Sequence, residues 1–157
     1  MTKKFHPDDP APITPALDFT LRLARAQAAV QRRLDASLGG HYGISFSDFM
    51  LLYYLDRAPG GRLRRVDLAE RQGLTASGVT RTLLPLEKIG LVSRQPDPRD
   101  ARVGYAAITP TGQEMLNNAM VTAQQISGDL LRGCPPDQVA AMSALLGQLA
   151  GMNSSNT

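Results

Sequence analysis

Residues 74–112 read LTASGVTRTLLPLEKIGLVSRQPDPRDARVGYAAITPTG, and this stretch decides the fold. It begins with the signals of a short helix, since Thr75 is a favourable N-cap and Gly90 a favourable terminator. Leu91–Arg94 and Val103–Ile108 are then typical of two strands, joined by a loop rich in Pro and Asp. The stretch therefore predicts a helix followed by a two-stranded hairpin.

A second short helix is predicted immediately before this stretch, over residues 65–72. The apolar residues that we expect to face inward on it are Val66, Leu68 and Ala69. Gly73 follows where a helix commonly ends in a left-handed residue. Leu74 and Val79 have the spacing of a hydrophobic staple around the Thr75 cap. Helix, tight glycine turn and helix together predict a helix-turn-helix.

The second helix of this pair has two distinct faces at about 100° per residue. Its inner face carries Val79, Leu83 and Leu86, and its outer face carries Ser77, Arg81, Leu84 and Lys88, flanked by Thr80. The outer face begins small, polar and basic, as a helix that enters a DNA groove requires. An ordinary amphipathic surface helix explains the periodicity equally well, but not the glycine turn and the basic loop that follows.

Positive charge is concentrated in the same part of the chain. From Arg57 to Arg102 there are ten Lys and Arg against five Asp and Glu, whereas the remainder has seven against nine. This asymmetry favours a polyanionic partner, although a merely solvated basic face remains an alternative. Arg99 and Arg102 lie in the hairpin loop, residues 95–102, where an arginine at the tip can enter a narrow minor groove.

Helices are predicted on both sides of this region. The first starts at the Thr14-Pro15 cap and runs to about Leu38, where Gly39-Gly40 is expected to end it. Two apolar stripes on it indicate two packing partners. Ser45 and Asp48 form a capping box for a helix to about Arg57, which is apolar nearly all round and should be the central core helix.

The C-terminal part predicts two more helices. One starts at Thr109-Pro110 and runs to about Arg132, and the last starts at Pro135-Pro136. Residues 1–13 contain three prolines and should form an extended arm, and residues 153–157 should be disordered.

Several classes of protein are disfavoured. No apolar run reaches the roughly 18 residues of a membrane span, and the N-terminus lacks a secretory signal. Cys134 is the single cysteine, which suits the cytoplasm, and with His6 and His41 it makes no plausible zinc site. No catalytic or phosphate-binding motif is present, so neither an enzyme nor a cofactor is expected.

The order of elements and the motif residues resemble the MarR family of bacterial winged-helix regulators. The matching core is LTASGVTRTLLPLEKIGLVSR, followed by DPRDARVGYAAITPTG. The family's wing pattern has an Asp, an Arg, an aliphatic residue, a Thr and a Gly at fixed spacing. In this chain these residues are Asp100, Arg102, Ile108, Thr109 and Gly112.

The resemblance implies a mainly α fold with a β-hairpin wing, and a cytoplasmic homodimer that binds double-stranded DNA at a palindromic operator, most often as a repressor. Residues 45–109 would form a winged helix-turn-helix DNA-binding lobe. Residues 14–40 and 110–150 would form a helical dimerisation region. A winged helix that binds another protein is the alternative, although Arg81 and Arg102 argue against it.

If the chain binds DNA in this way, roles can be assigned to individual residues. Arg81 is the best candidate to read a base, and Ser77 and Thr80 would read bases or hold phosphates. The expected phosphate contacts are Arg64, Arg65, Lys88 and Arg99. The resemblance implies that Arg102 is the wing-tip arginine and that Asp100 holds neighbouring basic side chains.

Pro85 departs from the family pattern, because it falls inside the recognition helix. An interior proline removes a helical hydrogen bond at a cost of about 3 kcal/mol, so we expect a kink or an altered last turn. Sequence reading should therefore be confined to the segment from Thr75 to Arg81.

Many MarR proteins release DNA when a small aromatic molecule binds between the dimerisation helices and the DNA-binding lobe. The residues expected near that cleft are His41, Tyr42, Phe46, Phe49 and Tyr53. The apolar members of this set are also compatible with a plain core role, and His41 with a surface position.

Overall fold

The computed structural model describes residues 11–100 and 102–151. Of the expected N-terminal arm it covers only residues 11–13, which form no regular structure. The rest of that arm and the expected disorder of residues 153–157 lie outside the described residues.

The described chain forms six α-helices and three short strands, which confirms the predicted fold class. The helices are α1 Pro15–Tyr42, α2 Phe46–Arg57, α3 Arg65–Gln72, α4 Ala76–Lys88, α5 Pro110–Leu130 and α6 Pro136–Leu149. The strands are β1 Arg62–Arg64, β2 Val92–Pro96 and β3 Gly104–Ile108. A short 3-10 turn, Pro59–Gly61, joins α2 to β1.

The predicted N-caps are confirmed at four helices. In each case the cap hydroxyl accepts a hydrogen bond from the backbone N–H three residues later, at Thr14, Ser45, Thr75 and Thr109. The capping box is complete, because Asp48 Oδ2 also accepts from the Ser45 amide at 2.9 Å. Local chemistry therefore fixes where these helices begin.

The end of α1 differs from the prediction. The helix runs through Gly39 and Gly40 and ends at Gly43, whose φ is +70°. Glycine weakens a helix but does not terminate one unless the backbone turns left-handed. The Tyr42 hydroxyl donates to the Asn118 carbonyl of α5 at 2.9 Å, which holds the extra turn in place.

The core surrounds α2, as expected from its apolar sequence. Leu51, Leu52 and Leu55 are completely buried, and α2 packs against α1, α3, α5 and the sheet. The four-residue break after Arg57 then turns the chain towards the wing.

The wing sheet has three strands where the sequence predicted two. The strand order is β1-β3-β2, all antiparallel, and Tyr105 lies opposite both Arg64 and Gln95. β1 was missed because it is three residues long and pairs with a segment some forty residues away, which local patterns do not report.

α3 buries Leu68 and Ala69 as predicted, but not Val66. Val66 is 65% exposed and lines the cleft beside the wing, so its assignment to the core was wrong. In a helix of only eight residues the apolar positions do not define one face unambiguously.

The junction between the wing and α5 is tightly built. Thr109 Oγ1 donates to the Gly90 carbonyl at 2.5 Å, and the Thr109 amide donates to the Leu91 carbonyl at 3.1 Å. A Cβ on Gly112 would overlap that same Leu91 carbonyl oxygen. The glycine of the wing motif is therefore required by close backbone packing, although its φ is not left-handed.

α6 is rich in apolar residues but buries none of its residues within the described chain. Met142, Leu145, Leu146 and Leu149 are between 38% and 60% exposed. No helix in the described ranges is long and apolar enough to cross a membrane.

Candidate nucleic-acid interface

The helix-turn-helix is formed by α3 and α4 around the predicted glycine turn. Gly73 has a φ of +63°, and its N–H donates back to α3. Thr75 Oγ1 accepts from the Gly78 amide at 3.1 Å and starts α4. Leu74 is 39% exposed, and its hydrophobic staple with Val79 stays a prediction.

α4 separates its two faces as the sequence predicted. Val79, Leu83 and Leu86 are at most 2% exposed and fix the helix on the core. Ser77 and Arg81 are exposed on the opposite side. The small residues at the start of that face leave the backbone accessible, which suits insertion into a major groove.

Pro85 lies within a continuous α4 that extends to Lys88. The helix accommodates the proline in its last turns, and the Ile89 amide donates to the Pro85 carbonyl at 3.2 Å. Leu84 and Lys88 remain exposed beyond Arg81.

The loop of the wing is ordered by two aspartates that accept backbone hydrogen bonds. Asp97 Oδ1 accepts from the Arg99 amide at 2.8 Å, and Asp100 Oδ1 accepts from the Arg102 amide at 3.0 Å. Both arginine side chains are left exposed.

This geometry changes the role assigned to Asp100. The resemblance implied that Asp100 holds neighbouring basic side chains, but among the described residues its hydrogen bond goes to the backbone of Arg102 and it forms no ion pair. Asp100 therefore shapes the loop and leaves the guanidinium of Arg102 free to project outward.

A cleft of about 690 Å³ separates the start of α4 from the wing. Four arginines line it: Arg64, Arg65, Arg94 and Arg102. The positive charge of Arg94 is compensated by a carboxylate, since its Nη2 lies 3.4 Å from Glu87 Oε2. The other three do not form ion pairs among the described residues, so the cleft is strongly positive.

Arg65 is anchored within this cleft. Its Nη2 donates to Thr80 Oγ1 of α4 at 2.7 Å. The sequence placed Arg65 and Thr80 separately on the DNA-facing surface, and the structure brings the two side chains together.

The wing also carries a cluster of side chains around Tyr105 that sequence reasoning missed. The Arg62 guanidinium lies 4.7 Å from the centre of the Tyr105 ring, and the Tyr105 hydroxyl donates to Asp97 Oδ2 at 3.4 Å. A side-chain hydrogen bond with Tyr105 raises the pKa of Arg64 above its usual value. The pairing of β1 with β3 brings these side chains together, and no local pattern reports that pairing.

The five residues expected near an effector cleft have different surroundings in the described part of the chain. The Tyr42 hydroxyl is bonded to the Asn118 carbonyl and to Thr122 at 3.0 Å, Phe49 belongs to the core, and His41 is exposed. Tyr53 is half-buried beneath the guanidinium of Arg57. Phe46 lines a groove of about 600 Å³ between α1 and α2.

Other chemistry has little support in the described part of the chain. No group of three His, Cys, Asp or Glu side chains there could hold a metal ion. Cys134 is exposed in the turn between α5 and α6.

The fold and the interface define a winged helix-turn-helix DNA-binding protein. A family model described as MarR family matches residues 42–103. The uncharacterised HTH-type transcriptional regulator YwaE of Bacillus subtilis is 22% identical over 86% of this chain and 78% of its own length.

Solved structures agree over a longer span. Sco3205, a MarR family regulator from Streptomyces coelicolor solved in complex with DNA, superposes with a TM-score of 0.79, 26% identity and 91% coverage of each chain. CouR from Rhodococcus jostii RHA1, solved with p-coumaroyl-CoA, has a TM-score of 0.75 and 22% identity over 86% of this chain and 93% of its own. Residues 42–103 thus match the MarR family, and the fold of the described chain is that of MarR family transcriptional regulators.

Proposed function

We propose that this regulator is a homodimeric repressor that binds a palindromic operator and is released by a small aromatic ligand. The observation that carries the DNA-binding part is the positive cleft between α4 and the wing, next to the exposed face of Ser77 and Arg81. On this proposal α4 enters the major groove, the wing reaches the flanking minor groove, and the DNA backbone runs between them.

Within this interface the proposed roles differ in kind. Arg81 reads a base, most readily guanine through two hydrogen bonds, and Ser77 reads beside it. Arg65 and Arg99 contact phosphates, which adds affinity without sequence information. Arg102 enters the minor groove, and Thr75 fixes the helix end that approaches the bases.

The proposed dimer is supported by apolar surface that one chain leaves uncovered. Leu17 and Leu21 on α1 are about half exposed, as are the apolar residues of α6. A second copy that covered both helices would bury this surface and would hold two α4 helices one DNA turn apart, roughly 34 Å. A palindromic operator follows from such two-fold symmetry.

The proposed ligand site is the groove between α1 and α2. Its lining is largely apolar and includes Phe46, Met50 and, from α6, Leu146. Gln72 supplies a polar group to this groove. Its Nε2 donates to the Ser47 carbonyl at 2.9 Å, while its buried Oε1 has no partner among the described residues. The p-coumaroyl-CoA bound by CouR suggests aromatic acids and their thioesters as the first compounds to test.

Selection of bound duplexes from a random pool tests the DNA-binding proposal. We expect an enriched palindrome whose half-sites lie about one helical turn apart, and a dimer by sedimentation. Failure to enrich any sequence would support a winged helix that binds protein. An enriched asymmetric site occupied by one chain would contradict the dimer.

Displacement of the selected duplex tests the ligand proposal. Aromatic acids and thioesters should lower duplex affinity for the wild type, and Gln72→Met should weaken that response without changing affinity in the absence of compound. Gln124→Met on the exposed side of α5 is the matched control. An equal response of wild type and Gln72→Met would exclude this groove as the ligand site.

A further inference from the structure

Arg65 is held in the cleft by a hydrogen bond that does not neutralise its charge. Arg94 is held by the carboxylate of Glu87, and Arg102 is exposed at the wing. Arg65 is half-buried, and the group that binds it, the hydroxyl of Thr80, carries no charge. A guanidinium has five N–H donors, so most of them remain available after this bond is made.

The hydroxyl of Thr80 already donates one hydrogen bond and accepts another. It donates to the Ala76 carbonyl at 3.1 Å and accepts from Arg65 Nη2 at 2.7 Å. A hydroxyl has one hydrogen to donate, and here it is used inside α4. Thr80 is therefore poorly placed to donate to a base or a phosphate, which was the role expected from its position on the helix.

Gly104 provides the space through which the Arg65 side chain passes. A Cβ at Gly104 would lie 3.1 Å from Arg65 Cδ, closer than nearly all such contacts. The backbone of Gly104 is not left-handed, so alanine is compatible with the strand itself. An alanine at Gly104 would therefore displace the Arg65 side chain by a few tenths of an ångström without straining its own backbone.

We propose that Thr80 and Gly104 are positioning residues that hold Arg65 ready to grip one phosphate where the DNA strand crosses between α4 and the wing. The inference rests on the proposed use of this face for DNA. Because Arg65 starts α3, bonds to α4 and packs on β3, its position also fixes the wing relative to the recognition helix. Ordering the side chain before binding avoids an entropy loss on binding.

The test is the affinity for a mixed-sequence duplex measured over a series of salt concentrations, a probe that reports phosphate contacts without needing the operator. Arg65→Ala should reduce the slope of log affinity against log salt by about one. Thr80→Val should keep the slope, because the charge remains, but weaken binding about threefold to tenfold. Thr80→Ser retains the hydroxyl and should restore the wild-type value.

Thr82→Val is the matched control within the same helix. Thr82 makes the same kind of hydroxyl bond, to the Gly78 carbonyl at 3.1 Å, and has no arginine partner among the described residues. We expect wild-type affinity for this variant. A loss equal to that of Thr80→Val would mean that the effect comes from the helix and would overturn the proposal.

Double variants separate positioning from a general structural effect. In an Arg65→Ala background, neither Thr80→Val nor Gly104→Ala should weaken binding further, because both act through Arg65. Additive losses, or an unchanged salt slope in Arg65→Ala, would overturn the inference. Should Thr80→Val fail to fold, Gly104→Ala with its Arg65→Ala double variant gives the same test.

A failure of the proposed function would be distinguishable from a failure of this inference. A protein that bound the selected operator no better than the mixed-sequence duplex would contradict specific DNA reading. The salt slopes and the coupling between Arg65, Thr80 and Gly104 would still be measurable on the mixed-sequence duplex.

Discussion

α4 and α6 are amphipathic helices of 13 and 14 residues, and their apolar residues differ in how far they are buried. On α4 the apolar residues Val79, Leu83 and Leu86 are at most 2% exposed. On α6 Leu145 and Leu149 are 39% and 60% exposed. The apolar face of α4 is thus buried within a single chain, whereas α6 presents an apolar surface that the described part of its own chain leaves open.

Truncation of the α4 core should have the largest effect. Leu83→Ala removes a side chain that is 1% exposed and should lower the free energy of unfolding by about 2–5 kcal/mol, measured by urea denaturation. Leu84→Ala, one residue further along and 43% exposed, is the control and should change it by less than about 0.5 kcal/mol. Similar losses at both positions would contradict the assigned faces of α4.

A charge on α6 should instead weaken association. Leu145→Asp places a carboxylate on the apolar surface proposed to meet a second copy, and should cost at least about 2 kcal/mol of dimer affinity in sedimentation equilibrium. Gln148→Asp, exposed on the same helix, adds the same charge as a control. A Leu145→Asp protein that remained as dimeric as the control would remove α6 from the interface.

The wing tip should matter for DNA but not for folding. Arg102→Ala should weaken operator binding by about 1.5–3 kcal/mol, the range for hydrogen bonds made by a charged group, while the protein stays folded and dimeric. The exposed Arg132 lies at the far end of α5, and Arg132→Ala controls for loss of one positive charge. Retention of wild-type affinity at fixed salt would contradict the wing assignment.

Within α4, Arg81 should control specificity more than overall affinity. Arg81→Ala should reduce discrimination between the operator and a random duplex by about 1–3 kcal/mol in competition titrations. Lys88→Ala should weaken both duplexes alike. An unchanged specificity ratio in Arg81→Ala would leave base reading to other residues.

The smallest effect on stability is expected from removing the hydroxyl of Tyr54 on α2. Burial raises the pKa of its phenol above the ordinary tyrosine value near 10, although the charge of Arg71 opposes this shift. The folded state then keeps a proton that the unfolded chain releases, so stability is retained below pH 10 and falls above it. Tyr54→Phe should lose less stability than the wild type between pH 9 and about pH 11; parallel curves would contradict this.

Local signals explain what the sequence predicted well. Ser45, Thr75 and Thr109 each carry their own capping chemistry, and Gly73 occupies the left-handed position that a glycine after α3 was expected to fill. Such features depend on residues within four positions of each other, so they can be recognised without knowledge of the tertiary structure.

Non-local contacts explain what was missed. β1 forms because Arg62–Arg64 pairs with β3, and α1 extends past Gly40 where Tyr42 reaches α5. Likewise, the Arg65–Thr80 pair joins two helices across the glycine turn. The sequence identified the residue types of the interface, but only the structure shows which side chains are already engaged with each other.

The close approach of Gly112 to the Leu91 carbonyl has a mechanical consequence. The backbone of Gly112 packs directly on the backbone of Leu91 and beside the Ile108 side chain, and Thr109 is bonded to both Gly90 and Leu91. The first turn of α5 and the base of the wing are therefore rigidly connected. In the proposed dimer, a small rotation of α5 would therefore move the wing with it, and the distance between the two wing tips would depend on the angle between the two α5 helices.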